Sequence, residues 1–223
     1  INNAIIKNRI HFYALLFFTK KATLFNKYIM NILMANWTWY PSGGDWTYIE
    51  SICKLYESKN HKIIPFSVKN EKNFPTPYEK YFLNEVDYKK FYTGAKIKSL
   101  IKLLTKSIYS FEAKAKLRLL LTENRIDIAQ FNNIHNYHTP SIISVLKEKK
   151  IPIVWRILDY KLICPNNTFI QHDKVCEDCY KHKYYNCIFN KCRKNSILAS
   201  TFMALESYFY FILPLYKHVD LFL

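Results

Sequence analysis

IDIAQFNNIHNYHTPSII, residues 126–143, changes character twice within one short stretch. Asp127 to Phe131 reads as a short apolar strand. The polar run that follows reads as a loop. Thr139 then caps a helix with Pro140 in its first position, a favoured start, and Ile142, Ile143, Val145 and Leu146 form the buried side of that helix. A strand that passes through a loop into a helix is half of a βαβ unit.

The same alternation extends outward in both directions. Downstream, Ile151 to Leu158 is a further strand. Ser196 to about Tyr216 is a long helix, and Val219 to Leu223 a last strand. Upstream, Asn31 to Asn36 (NILMAN) is an apolar run of the kind buried in a parallel sheet. The loop WTWYPSGGDW follows it. Trp46, Ile49, Cys53 and Tyr56 then recur at helical spacing, Asn60 and His61 end that helix, and Lys62 to Ser67 is the second strand. Residues 68–94, with Pro75 and Pro77, read as an irregular excursion. Ala95 to Thr122 is a long helical segment with a break near Ser107. Strands separated by helices predict parallel pairing with right-handed crossovers. The expected fold class is therefore α/β, a Rossmann-like doubly wound parallel sheet. Ligands of such sheets sit beyond the carboxyl ends of the strands, so residues 37–45, 132–138 and 159 onward are the loops to search.

Half of the 223 residues are apolar, which supports a sizeable core and argues against disorder. The net charge of +16 favours anionic partners such as nucleic acid, phosphorylated small molecules or an anionic membrane face. Residues 1–29 carry five basic side chains and no acid. Their apolar run, Ile10 to Phe18, is too short to span a bilayer. No small-residue cleavage site follows it, so a signal peptide is not expected. Residues 1–29 read as an upstream extension or a short interfacial anchor, with the domain proper at 30–223.

Three loops carry candidate chemistry. Gly43 and Gly44 at a helix start allow close backbone approach to an anion, while Asp45 beside them complements the helix dipole instead. The pattern is neither GxGxxG nor a P-loop; a plain tight turn is the competing reading. His135 and His138 lie just past a strand end, where paired imidazoles can act as acid and base or bind hydroxyls. Without a nearby acid or third histidine they make a poor metal site, and a purely structural histidine is the alternative. Of the six cysteines, Cys164, Cys176, Cys179, Cys187 and Cys192 crowd into residues 164–192. The CxxC spacing of Cys176 and Cys179 presents two thiolates to a tetrahedral ion, and four such ligands would close a structural zinc site. An iron–sulfur centre and unligated buried thiols are the alternatives. His172 and His182 are spare ligands nearby, and Cys53 belongs to the core.

The ordered set of phrases resembles the start of the family-4 glycosyltransferases. Those phrases are NILMAN, YPSGGDWTYIESICKLY, HKIIPFSV, YSFEAKAKLRLLL, IDIAQFNNIHNYHTPSII and IPIVWRILDYKLICPN. The segment VCEDCYKHKYYNCIFNKC followed by NSILASTFMALESY looks like one subgroup of that family, and the likeness runs from Met30 to Leu223. It implies the GT-B fold, with this chain as the amino-terminal, acceptor-binding domain carrying a cysteine-rich insertion. A donor domain that reads a nucleotide-sugar would follow beyond Leu223. It implies sugar transfer with retention of configuration in cell-surface polysaccharide or glycolipid synthesis. The acceptor would be a sugar or lipid-linked sugar, the setting cytoplasmic, with peripheral contact at the inner membrane face. His135 and Asp159 would be catalytic, and Gly43, Gly44, Asp45, Asn133 and His138 would contact substrate. The family often has a histidine immediately before the aspartate of LDYKLICP; Leu158 stands there in this chain. That departure gives a second reading, a non-catalytic homologue. A third, a zinc-containing nucleic-acid binder, has the charge and the CxxC pair behind it, but the lysines are dispersed and no reader module is recognisable.

Overall fold

The computed structural model describes residues 29–85, 106 and 108–223. Its centre is a five-stranded sheet in the order β2-β1-β3-β4-β7, parallel throughout. The strands are β1 (Asn31–Ala35), β2 (Lys62–Phe66), β3 (Ile128–Phe131), β4 (Ile153–Trp155) and β7 (Leu221–Phe222). A second, two-stranded antiparallel sheet joins β5 (Ile170–Gln171) to β6 (Lys174–Val175). The helices whose bounds lie among the described residues are α1 (Gly44–Ser58), α2 (Phe111–Glu123), α3 (Ile142–Glu148), α4 (Tyr185–Phe189) and α5 (Ile197–Ile212).

The register explains the apolar runs. Leu33 of β1 sits opposite Ile64 of β2 and Ala129 of β3, and Ala35 opposite Phe66 and Phe131. Side chains alternate across a strand, so β1 feeds two cores. Met34 packs with Trp46, Ile49 and Cys53 of α1 on one face. Leu33 and Ala35 join Leu117 and Leu120 of α2 and Ile142, Ile143, Val145 and Leu146 of α3 in the larger core. Burial of each such leucine or isoleucine stabilises the fold by roughly 1.5–3 kcal/mol. Because the sheet is covered twice, its central strands have no polar face, which is why they read as continuous apolar runs.

Several boundaries differ from the sequence reading for identifiable reasons. Thr139 is not the cap of α3: it is held at φ 56, and its hydroxyl bonds the Ser110 N–H and the Ser141 hydroxyl. The helix begins at Ile142, after a tight turn closed by bonds from Ile142 N–H to the Thr139 carbonyl and from Ile143 N–H to the Pro140 carbonyl. The break in the long helical segment falls at Ser110, whose side chain accepts from Ala113 N–H and caps α2. Residues 95–105 and 107 of that segment lie outside the described residues, as do 1–28 of the extension. The final helix ends at Ile212, because Pro214 has no N–H to continue it; a 3-10 turn, Pro214–His218, takes over. Of the irregular excursion, residues 68–85 are described; they hold a 3-10 turn, Glu79–Tyr81, and an isolated bridge from Val68 to Leu83. β4 is shorter than expected, although Arg156 and Ile157 N–H still bond the carbonyls of Phe131 and Leu223. Among the described residues no helix is long and apolar enough to cross a membrane.

One buried ion pair ties the chain after β4 to α5. Lys161 Nζ lies 2.6 Å from Glu206 Oε2, with side chains 6% and 1% exposed, and also donates to the Pro165 carbonyl. Removing one partner strands the other charge in an apolar setting. Glu206→Ala should therefore lower stability by about 3–5 kcal/mol in urea unfolding. The double variant Lys161→Met/Glu206→Leu should recover most of that loss.

Candidate functional site at the carboxyl edge of the sheet

In a parallel sheet all strands end on one edge. Here the loops after β1, β3 and β4 meet there, at the point where the strand order reverses. The loops after β1 and β3 are locked together. Trp37 N–H donates to the Asn133 carbonyl at 3.1 Å, and Asn133 N–H donates to Asn36 Oδ1 at 3.1 Å. Asn36 Nδ2 then holds Thr38, whose hydroxyl is 2.8 Å from that of Ser42. The Trp37 and Tyr137 rings stack nearly parallel across the same junction. This chain of contacts leads directly to Gly43.

Gly43 sits at φ 133, ψ −161, a conformation essentially reserved for glycine, and starts α1 with no side-chain cap. Gly44 is different. A Cβ added there would meet nothing within 4 Å, so its lack of a side chain leaves open space at the helix start. Asp45 Oδ1 takes the Trp46 N–H at 2.8 Å and caps the helix from within.

Asn132, Asn133, His135, Trp155, Leu158 and Asp159 line a small pocket between the ends of β3 and β4, with room for about one water (about 10 Å³). Asn132 is fixed from two sides: its carbonyl accepts from Trp155 Nε1 at 3.0 Å, and its amide donates to Met34 Sδ. Its side-chain Oδ1 has no partner among the described residues, and neither does His135 Nδ1. Buried polar atoms without partners are rare in folded proteins, and these two belong to residues that line one pocket. Asp159 is positioned by Lys161 N–H, which donates to its Oδ1, and by Asn167 Nδ2.

Burial is the main influence on both histidines. It lowers the His135 pKa to about 3, with the Lys161 charge adding to the effect. It lowers that of His138 to about 4, partly opposed by the bond to the Phe66 carbonyl. His135 is therefore a neutral imidazole at physiological pH, able to donate through one nitrogen and accept through the other. His138 is fully buried, spends Nε2 on the Phe66 carbonyl at 2.9 Å and packs edge-on against the Phe66 ring. That geometry makes it a strut between the loop and β2.

Arg156, which the sequence reading passed over, extends its guanidinium over the Tyr48 ring at 3.4 Å. No carboxylate among the described residues pairs with it. Its signal was present: an arginine interrupts the apolar run IPIVW at the strand end. Asn36 is legible in the same way, as the polar end of NILMAN.

The cysteines lie elsewhere. Cys164, Cys176, Cys179, Cys187 and Cys192 all line one cavity of about 280 Å³ between β4 and α5, and none forms a disulfide. The Cys187 and Cys192 thiols hydrogen-bond each other. Among the described residues no three cysteine, histidine or acidic side chains are already arranged as a metal cage. His182 is occupied by stacking on Phe211 and bonding Tyr184, and His172 lies against Gln171, so neither joins the thiols. Cys53 is buried in the core on α1, its thiol pKa pushed up to about 12 by burial and then by Glu57.

Comparison with known protein families, with curated proteins and with solved structures finds no match for this chain.

The histidines set a pH limit on stability. In the unfolded chain each imidazole takes a proton below its ordinary value of 6.5, while in the folded chain each stays neutral down to about 3 or 4. Their contribution is therefore complete above pH 6.5 and is lost as the pH falls through this window. Unfolding free energy should drop by about 3 kcal/mol between pH 6.5 and 5. In urea titrations at those pH values, His138→Gln should remove about half of that drop.

Proposed function

We propose that this chain is the acceptor-side domain of a retaining, nucleotide-sugar-dependent glycosyltransferase, with the Rossmann-like architecture of the amino-terminal half of a GT-B enzyme. The observation that carries the reading is the polar floor at the carboxyl edge of β1, β3 and β4. There Asn132 and His135, each with an unpartnered buried side-chain atom, line the same pocket as Asp159. Sugars are recognised through hydroxyl groups that both donate and accept, and a neutral imidazole beside a carboxylate and amide groups suits them. His135 and Asp159 are the residues of the reaction chamber, and Asn133 holds the adjoining loop. Gly43 and Gly44 leave the start of α1 open to a diphosphate, and Arg156 supplies a cation on the same edge. The donor would be bound mainly by a second domain. Exposed apolar groups on and near α4 and α5 (Phe189, Leu198, Phe211, Ile212), together with the basic surface, suit a cytoplasmic membrane face carrying lipid-linked acceptors.

Leu158 supports a second reading, that of a non-catalytic homologue. It lines the pocket beside Asp159 with a side chain that can neither donate nor accept.

Titration of the chain with UDP-glucose, GDP-mannose and short oligosaccharides, followed by amide NMR shifts, tests the site. Nucleotide sugars should move Gly43, Gly44 and Arg156, and glycans should move Asn132 to His135. Gly44→Ala should leave stability unchanged yet weaken nucleotide binding about tenfold, as should Arg156→Ala, the loss of one charge-assisted contact. Silence at this edge, with steeply salt-dependent binding of DNA or RNA instead, would overturn the reading in favour of a nucleic-acid binder. In the longer gene product that the reading requires, Leu158→His should raise sugar transfer about tenfold, the worth of one hydrogen bond in the transition state. A gene product inert both before and after that change would be the non-catalytic homologue.

A further inference from the structure

We propose that the segment between β4 and α5 is closed by one structural zinc ion, held by four thiolates drawn from Cys164, Cys176, Cys179, Cys187 and Cys192. The proposal is independent of the sugar-transfer reading.

The first argument is convergence. The five cysteines come from four separate turns, yet all line the same cavity. Backbone and side-chain bonds hold those turns together. Cys164 N–H closes a turn on the Tyr160 carbonyl, and Cys176 N–H bonds the Phe169 carbonyl across the small hairpin. Cys192 N–H bonds the Cys187 carbonyl, which brings the two ends of the α4 turn together. Asn186 and Asn190 both reach Asp178, between Cys176 and Cys179, at 2.6 and 2.9 Å. Gln171 of β5 reaches the Asn190 carbonyl at 2.8 Å. Cys179 and Cys192 each lie within electrostatic reach of the other four thiols, and Cys179 accepts a hydrogen bond from the Cys187 backbone. The backbone thus brings all five thiols to one cavity, although no three of them are yet arranged as a cage. Binding would draw four sulfurs in to the roughly 2.3 Å that zinc requires.

The second argument is that this segment lacks the means to hold itself. Residues 164–195 contain nine of the thirteen described non-glycine residues with positive φ, among them Phe169, His172, Lys181 and Lys191. Such backbone costs energy and persists only where its surroundings fix it. The segment has little apolar interior to do so: Ile170, Val175, Tyr180 and Phe189 are all more than half exposed. Small loop-rich units of this kind depend on a cross-link or a metal. None of the five forms a disulfide, and four thiolates complete a tetrahedral zinc shell with the fifth cysteine left unligated. Four thiols would lose four protons on binding and leave the site with a double negative charge. Seven lysines or arginines against three acids within residues 160–195 offset it.

The chain purified under reducing conditions should contain one zinc ion per molecule by elemental analysis. Cobalt substitution should give the intense visible bands of a tetrahedral thiolate site. Cys53→Ala should keep the metal, and of the five single alanine variants in the segment four should lose it and one should keep it. Should those variants fail to fold, the wild-type chain decides: zinc stripped with a chelator should unfold residues 160–195 by hydrogen exchange, and added zinc should restore them. Chain free of metal under these conditions, zinc retained by two or more of the five variants, iron in place of zinc, or disulfides among the five cysteines of anaerobically prepared protein would each overturn the proposal.

Discussion

The loop that leaves β1 and the loop that leaves β3 are held by a reciprocal pair of bonds. Trp37 N–H donates to the Asn133 carbonyl while Asn133 N–H donates to the Asn36 side chain. Everything at the carboxyl edge is arranged around this lock. It sits where the sheet order reverses and the chain leaves β1 in one direction and β3 in the other, so a crevice opens between them. With the two loops joined, Asn132 and His135 face β4 on one side, and Ser42 and Gly43 lead into α1 on the other. Such a lock is needed because loops carry few apolar contacts of their own. Hydrogen bonds that leave no buried backbone group unpaired are the means of fixing them.

The sheet was legible in the sequence because double coverage leaves the central strands almost wholly apolar; NILMA, IAQF and IVW carry that signature. Gln130 is the exception within β3, and it is satisfied sideways by the hydroxyls of Tyr56 and Tyr48 on α1. The helix starts were less legible. Thr139 followed by Pro140 satisfies local capping preferences, yet the threonine hydroxyl is drawn off to Ser110, twenty-nine residues earlier in the chain. No local rule could anticipate that contact. The same limit applies to the site. That His135 and His138 lie past a strand end was readable. That one faces a pocket while the other is a strut follows from which side of the loop meets Phe66, a tertiary fact. Arg156 and Asn36 were readable in principle, since each is a polar residue at the end of an apolar run.

Electrostatics separates the two halves of the proposed site. Near β3 and β4 the groups are neutral or negative: an imidazole kept unprotonated by burial, amide side chains and Asp159. Near α1 the Arg156 guanidinium held over Tyr48 favours anions, although Asp45 caps the helix start from within. A ligand that is polar but uncharged at one end and anionic at the other fits that division. A sugar nucleotide approached by a glycan acceptor has that character, whereas the uniformly charged backbone of a nucleic acid does not. This contrast in charge along one edge weighs more than the net +16, which says only that the whole surface is basic.

The cysteine segment and the pocket are linked by one side chain. Lys161 lies two residues after Asp159; its N–H positions that carboxylate, and its ammonium enters the buried pair with Glu206 and bonds the Pro165 carbonyl, next to Cys164. Its charge also contributes to keeping His135 unprotonated. If a metal fixes the turns around Cys164, it thereby fixes Lys161, and through Lys161 both the carboxylate and the imidazole of the pocket. A closed tetrathiolate site would then act on the pocket without lining it, by determining where a lysine can sit. On this view the thiols and the pocket are parts of one arrangement, and the conspicuous cysteines support the small polar crevice at the sheet edge rather than compete with it.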